Sequence, residues 1–191
     1  MNVLILLISL SHSYFLSTEW ELKRDRNNIK VYLREKNSFT QEYLAETIIE
    51  SDLKSIYEII IDYDTSHEWM YKLESSKIIK KETENLLYVY FTVNMNWPLK
   101  KRDLVSDVKI TQGEDYIIID LNSVPDYIEK DDNYIRIVDT RSVWNLSKIT
   151  SDKTKVTLQS YAVIDGLPSF ITDLFILESP MYSMTKLREK F

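Results

Sequence analysis

The stretch Tyr88-Val89-Tyr90-Phe91-Thr92-Val93-Asn94-Met95-Asn96-Trp97-Pro98-Leu99-Lys100-Lys101-Arg102-Asp103-Leu104-Val105 decides the fold. In its first half Val89, Phe91, Val93 and Met95 fall on one face, and Tyr88, Tyr90, Thr92 and Asn94 on the other. That period of two is the mark of a half-buried strand. A proline-bearing loop follows, and then a second strand pattern over 103–111 that carries Val108 and Ile110. Gly113 sits in a short turn over 111–114, where a glycine can take positive φ at no steric cost. Strand patterns continue over 116–122, 134–138, 142–148 and 155–164. Repeated hairpins without helices between them build an antiparallel sheet.

Upstream, Ile29, Val31 and Leu33 alternate with Lys30, Tyr32 and Arg34, and a second strand over 43–50 follows a turn at Asn37-Ser38. Ser51 or Asp52 can cap the next helix, because a side-chain oxygen there accepts from otherwise unpaired backbone N–H groups. Ile56, Ile59 and Ile60 supply that helix with an apolar face, and a second short helix is expected over 65–72, with Trp69 and Met70 available for burial. Downstream, Gly166 and Leu167 lead into Pro168, which suits a first helical turn because its missing N–H needs no partner there. The helix over 170–187 is apolar almost all round in its first half, through Phe170, Ile171, Leu174, Phe175, Ile176 and Leu177, which predicts burial on more than one side. Pro180 predicts a kink, with Met181, Met184 and Leu187 beyond it. The expected class is α+β: a curved antiparallel sheet wrapped around a long C-terminal helix, with two short helices after the first strands.

Composition removes many functions. The chain has 191 residues, 44% of them apolar, enough for one core, and no linker or repeat interrupts residues 18–191. Glycine occurs twice, against roughly a dozen at average usage, so no dinucleotide fingerprint, P-loop or nucleophile elbow can be written. The absence of cysteine excludes disulfides and thiolate chemistry, and two histidines, His12 and His67, exclude a His-rich metal site. No cofactor and no metal are expected. The net charge of −6 argues against nucleic acid, which needs a basic face. The densest basic run, Lys100-Lys101-Arg102, reads as a solvated loop or, alternatively, as a contact for anionic lipid head groups.

Residues 1–18 carry no charged side chain. The run Val3-Leu4-Ile5-Leu6-Leu7-Ile8 continues to Leu10, which is about the length of a signal peptide's hydrophobic region and too short to span a bilayer, although no basic residue precedes it. Residues 1–17 are therefore expected to be a cleaved signal and the protein exported, periplasmic or secreted. If instead the segment is a buried strand or helix, the protein is cytoplasmic.

These residues resemble the START lipid-transfer domains of the helix-grip group, a part of the Bet v 1-like superfamily, over roughly residues 19–190. The likeness rests on Trp20-Glu21-Leu22 with Asn28-Ile29-Lys30-Val31-Tyr32-Leu33-Arg34, on Asp62-Tyr63-Asp64 with Trp69, on Asn96-Trp97-Pro98 through Arg102-Asp103-Leu104-Val105, and on Gly166-Leu167-Pro168-Ser169-Phe170 with Pro180 and Lys186-Leu187-Arg188. The resemblance implies a sheet gripping the terminal helix and a tunnel holding one lipid-like molecule, with the loop at 96–101 and that helix as its lid. Periodicity alone is equally served by a solid core. The tunnel would be lined by Val89, Phe91, Val93, Arg102, Val108, Ile110, Tyr161, Val163, Leu167, Phe170, Ile176, Met184 and Leu187. Sterol-binding members share a buried acid–arginine pair, whose positions fall here on Val89 and Val108. Losing both charges together leaves an apolar cavity, and polar contact would rest on Tyr161 or Arg102.

Binding for transfer, carriage or sensing, without catalysis, is the expectation, by a monomer that touches membranes transiently. The alternative is a polyketide cyclase or aromatase working in the same cavity, which would need positioned acid–base groups. Arg102-Asp103 is either a head-group clamp or a structural ion pair at a strand start. Asp62 and Asp64 read as turn residues, and His67 as a lone surface histidine.

Overall fold

Apolar side chains at every second position start the core. Ile29, Val31 and Leu33 leave the same face of one strand and are buried, while Lys30 between them is exposed. That strand, β2 (Ile29–Asn37), follows β1 (Glu21–Arg26) and pairs with β3 (Thr40–Ile49), whose Ala45, Thr47 and Ile49 bury on the same side. The structure is a computed structural model that describes residues 19–37, 40–95, 98–164, 166–167 and 169–191, with the side chains of Ser169 and Phe170 excluded. The expected leader at 1–17, and the parts played by Ser38, Asn96, Trp97, Pro168 and the Phe170 side chain, lie outside the described residues.

Asp52 caps α1 (Leu53–Ile61), its carboxylate accepting from the amides of Lys54 and Ser55 at 3.0 Å. The second short helix is smaller than expected, a single 3-10 turn at Ser66–Glu68. Lys72 lies at φ +56°, so no α-helix can run through it. Trp69 is buried as expected, edge-on to Trp144 at 5.8 Å.

The remaining strands are β4 (Leu73–Thr83), β5 (Leu86–Val93), β6 (Arg102–Gln112), β7 (Tyr116–Ser123), β8 (Ile135–Arg136), β9 (Asp139–Thr150) and β10 (Lys153–Val163), followed by α2 (Ser169–Arg188). The sheet order is β1-β2-β3-β10-β9-β7-β6-β5-β4, with antiparallel neighbours throughout, and β8 adds two residues in parallel to β6. This is the α+β helix-grip architecture anticipated above. β4 is an edge strand, mostly exposed, and so carries no alternation. Gly113 turns the β6–β7 hairpin, yet its φ is not positive; a Cβ there would collide with the Tyr116 ring. Gly166, at φ +73°, does need glycine's freedom.

The concave face of the sheet meets α1, Trp69 and the C-terminal half of α2 in one core. Met181, Met184 and Leu187 are buried there. The first half of α2 departs from expectation. None of residues 171–179 is buried, and Leu174 is 55% exposed. The helix is fastened from outside by the Arg24–Glu178 ion pair at 2.6 Å and by Arg188 donating to the Asn27 carbonyl.

Candidate functional site

Strand pairing determines which side chains share a row on the concave face. Thr47, Val156 and Leu146 form one row, and Ala45, Leu158 and Trp144 the next. The third row is Tyr43, Ser160 and Ser142. The face thus changes from apolar to hydroxylated within one step along the strands, where α2 passes from its buried to its half-exposed half. A packed core ends at that row and a cleft begins.

The cleft holds about 610 Å³, between the ends of β2, β3 and β10 and the first half of α2. Tyr161, Val163, Leu167 and Ile176 border it, together with Ile164 and Phe175. Tyr43, Ser160 and Ser179 contribute hydroxyls, and Glu35 and Asp173 carboxylates. The Oγ atoms of Ser142 and Ser160 are 2.7 Å apart, and the Tyr43 hydroxyl interacts with Ser160 and Ser179. Burial pushes the Tyr43 phenol up to about 12, against the opposing pull of those two serines, so it is a neutral hydrogen-bonding group.

The thirteen residues named for the tunnel fall into separate places. Tyr161, Val163, Leu167 and Ile176 reach the cleft. Val89, Phe91, Val108, Ile110, Met184 and Leu187 are buried in the closed core. Val89 and Val108 are both wholly buried on that apolar face. Val93 is half-buried at the end of β5, opposite Arg102. The Phe170 side chain lies outside the described residues. Tyr161 borders the cleft, but its hydroxyl donates to Asp139 at 3.0 Å and the Lys36 ammonium lies over its ring. By alternation the inward residue beside it is Ser160. Tyr43, Ser160, Ser179, Glu35 and Asp173 did not stand out in the chain; parity with Ala45 and Leu158 is the signal that finds Tyr43 and Ser160.

Arg102 and Asp103 do not pair with each other, because adjacent strand residues face opposite ways. Arg102 is buried on the concave side, donates to the Lys100 carbonyl, and has its pKa lowered by burial. It does not border the cleft. Asp103 faces outward and takes a bidentate bond from Arg136, Nε to Oδ1 at 2.9 Å and Nη2 to Oδ2 at 2.8 Å, with Tyr90 donating at 3.1 Å. Arg136 also donates to the carbonyls of Pro125, Ile128 and Glu129, and so ties residues 125–136 across the outside of β5 and β6. This is why the strand expected over 134–138 shrinks to two residues. The basic run exposes less charge than expected, since Arg102 is buried and Lys101 pairs with Glu74. Asp62 accepts from Thr65 at 2.8 Å in a turn, and His67 is exposed, as anticipated.

No protein-family model matches the chain. An uncharacterized protein of Pseudomonas aeruginosa is 28% identical over 176 residues, covering 91% of this chain and 87% of that one. Among solved structures, the STAR-related lipid transfer protein of Xanthomonas axonopodis (fragment 25–204) superposes with a TM-score of 0.82 at 26% identity, over 90% of this chain and 97% of that one. Human StAR-related lipid transfer protein 5 superposes at 0.81 with 18% identity, over 91% and 86%, a likeness of fold. The Zhui aromatase/cyclase of Streptomyces is more distant, at 0.59 and 7%, over 79% and 93%. The bacterial structure, matched at 26% identity over 90% of this chain and 97% of that one, together with the human ones, identifies the fold of this chain as that of a START domain.

Proposed function

We propose that the domain binds a lipid or other hydrophobic small molecule in the cleft beside the first half of α2, for transfer, carriage or sensing. One observation carries this reading. An apolar stretch of helix that includes Phe175 and Ile176 is left half-exposed over a cleft of about 610 Å³ instead of closing onto the sheet. That volume lies within the range of small-molecule sites, about 300–1,000 Å³. A ligand that buried about 200 Å² of apolar surface there would gain about 5 kcal/mol at 25 cal/mol per Å². The START fold of its relatives, two of them lipid transfer proteins by name, supports the same reading. The cyclase alternative shares the fold alone.

Native mass spectrometry of the purified protein, with extraction of what co-purifies, tests the proposal. A lipid adduct that is lost in Ile176→Trp, with the fold retained by circular dichroism, is the expected result. Empty protein after exposure to a broad lipid extract would overturn it. Recovery of a chemically altered ligand after incubation would favour an enzyme. Binding is taken to occur in a monomer that touches membranes transiently, checked by light scattering and by vesicle sedimentation. Residues 1–17 are taken as a cleaved export signal, checked by the N-terminal mass of the mature protein.

A further inference from the structure

Resting on the cleft as a lipid site, we propose that its ligand carries an uncharged hydrogen-bonding end, an alcohol or amide, held by the hydroxyls of Tyr43, Ser160 and Ser179, and that anionic head groups are excluded. Three observations converge on this.

The first is the floor. Tyr43, Ser160 and Ser142 form one row across three strands, and Ser179 of α2 completes the group from above. A hydroxyl both donates and accepts, and its hydrogen turns to suit the partner, so such a group can meet either end of an alcohol or amide dipole. Ser160 is buried and Tyr43 half-buried, which makes their bonds to a ligand less exposed to competition from water.

The second is the sign of the charge. The carboxylates lining the cleft are Glu35 from β2 and Asp173 from α2, one on each side. Among the described residues no lysine or arginine lines it. The nearby Lys36 is engaged over the Tyr161 ring, outside the hydroxyl row. A phosphate or carboxylate entering between two carboxylates meets repulsion with no compensating cation.

The third is what lies beneath. The row below the hydroxyls is Ala45, Leu158 and Trp144, so that row holds no charge to neutralise a buried anion from behind. An anion seated on this floor would be desolvated without a partner, the costliest arrangement a cleft can offer. The carboxylates themselves are exposed and solvated, which suits them to screen head groups at the rim.

The test uses the full chain and a panel of ligands that share one unsaturated hydrocarbon chain: monooleoylglycerol, methyl oleate, oleylamine and oleate. Dissociation constants are measured by displacement of a fluorescent fatty alcohol. Monooleoylglycerol should bind tightest, with oleate weaker by about tenfold or more. Tyr43→Phe and, separately, Ser179→Ala should each weaken monooleoylglycerol roughly three- to tenfold, the range of one net hydrogen bond, and leave methyl oleate within about twofold. The double variant Glu35→Gln with Asp173→Asn should recover oleate binding several-fold. Equal binding of oleate and monooleoylglycerol, tighter binding of oleylamine than of either, or hydroxyl variants that weaken all four ligands alike would each overturn the head-group assignment while leaving lipid binding in place. Failure of all four to bind would overturn the lipid reading itself, and this assignment with it.

Discussion

The two halves of α2 lie over the same concave sheet face and do opposite things with it. Beyond Pro180 the helix places Met181, Met184 and Leu187 into a closed core with α1, Trp69 and the lower strand rows. Before Pro180 it carries Phe175 and Ile176 over a cleft whose floor includes Tyr43 and Ser160, with Ser142 beside Ser160 in the same strand row. The helix offers apolar side chains in both halves. The difference lies beneath it, where one strand row exchanges Ala45, Leu158 and Trp144 for three hydroxyl side chains. A hydroxylated row gives an apolar helix less to pack on. The contrast teaches that helix periodicity records which surface is available for burial, and the sheet decides whether protein or ligand covers it.

The largest expected effect lies outside both halves. Asp103 is buried, with its side chain 1% exposed, and holds Arg136, 3% exposed, across the back of β5 and β6. Asp103→Ala leaves that guanidinium buried and uncompensated, and is expected to cost about 3–5 kcal/mol in urea unfolding. Replacing both partners, as in Asp103→Leu with Arg136→Met, should recover much of the loss. A double variant as unstable as the single one would show that the cost comes from lost packing.

Truncation along α2 tests the comparison directly. Leu187→Ala, in the closed half, should lose about 2–5 kcal/mol through apolar transfer and the cavity left behind. Leu174→Ala, at 55% exposure, should fall within about 0.5 kcal/mol of the wild type. Equal losses at the two sites would mean that the cleft closes in solution and that the halves do not differ.

A smaller effect concerns an imperfection in the closed half. Tyr63 is buried, edge-on to Phe91 at 5.8 Å, and among the described residues its hydroxyl has no hydrogen-bond partner. Burial pushes its pKa far up, so it is a neutral phenol. Removing an unsatisfied donor relieves its desolvation, and Tyr63→Phe should raise stability by about 1 kcal/mol in thermal or urea unfolding. A loss of that size would reveal a partner for the hydroxyl and make this end of the core wetter than its packing implies.

Much of this division could be read in the chain, and the limits follow from range. The strands, the Asp52 cap, Trp69 burial and the Gly166 entry to α2 depend on neighbours within a few residues, so local pattern reveals them. β4 escaped because an edge strand with two wet faces has no alternation to display. Arg136 escaped because its partner Asp103 is 33 residues away. Tyr161 drew attention as an aromatic hydroxyl near the helix entrance, whereas Ser160, one position earlier, has the inward register. The choice between packed core and cavity was open for the same reason. It depends on which residues of three strands share a row, and pairing register is not a property of any one segment.

The smallest expected effect is a stitch on the outer face, opposite the closed core. Glu46 on β3 accepts from Lys155 at 2.8 Å and from the Tyr32 hydroxyl at 3.2 Å. The Lys155 hydrogen bond is the main force holding the Glu46 carboxyl below its ordinary 4.5, against the opposing effect of partial burial. A carboxylate whose pKa is depressed on folding contributes stability above its unfolded pKa and loses it as pH falls through the folded one. The wild type should therefore be slightly more stable than Glu46→Gln at pH 7, and the gap should close as pH drops below about 4.5. Because the pair is partly solvated, added salt should narrow the gap at pH 7 as well. A gap that did not narrow at all as pH fell below about 4.5 would mean that the side chain acts through packing, and would place the outer surface of β3 with the closed half of the molecule.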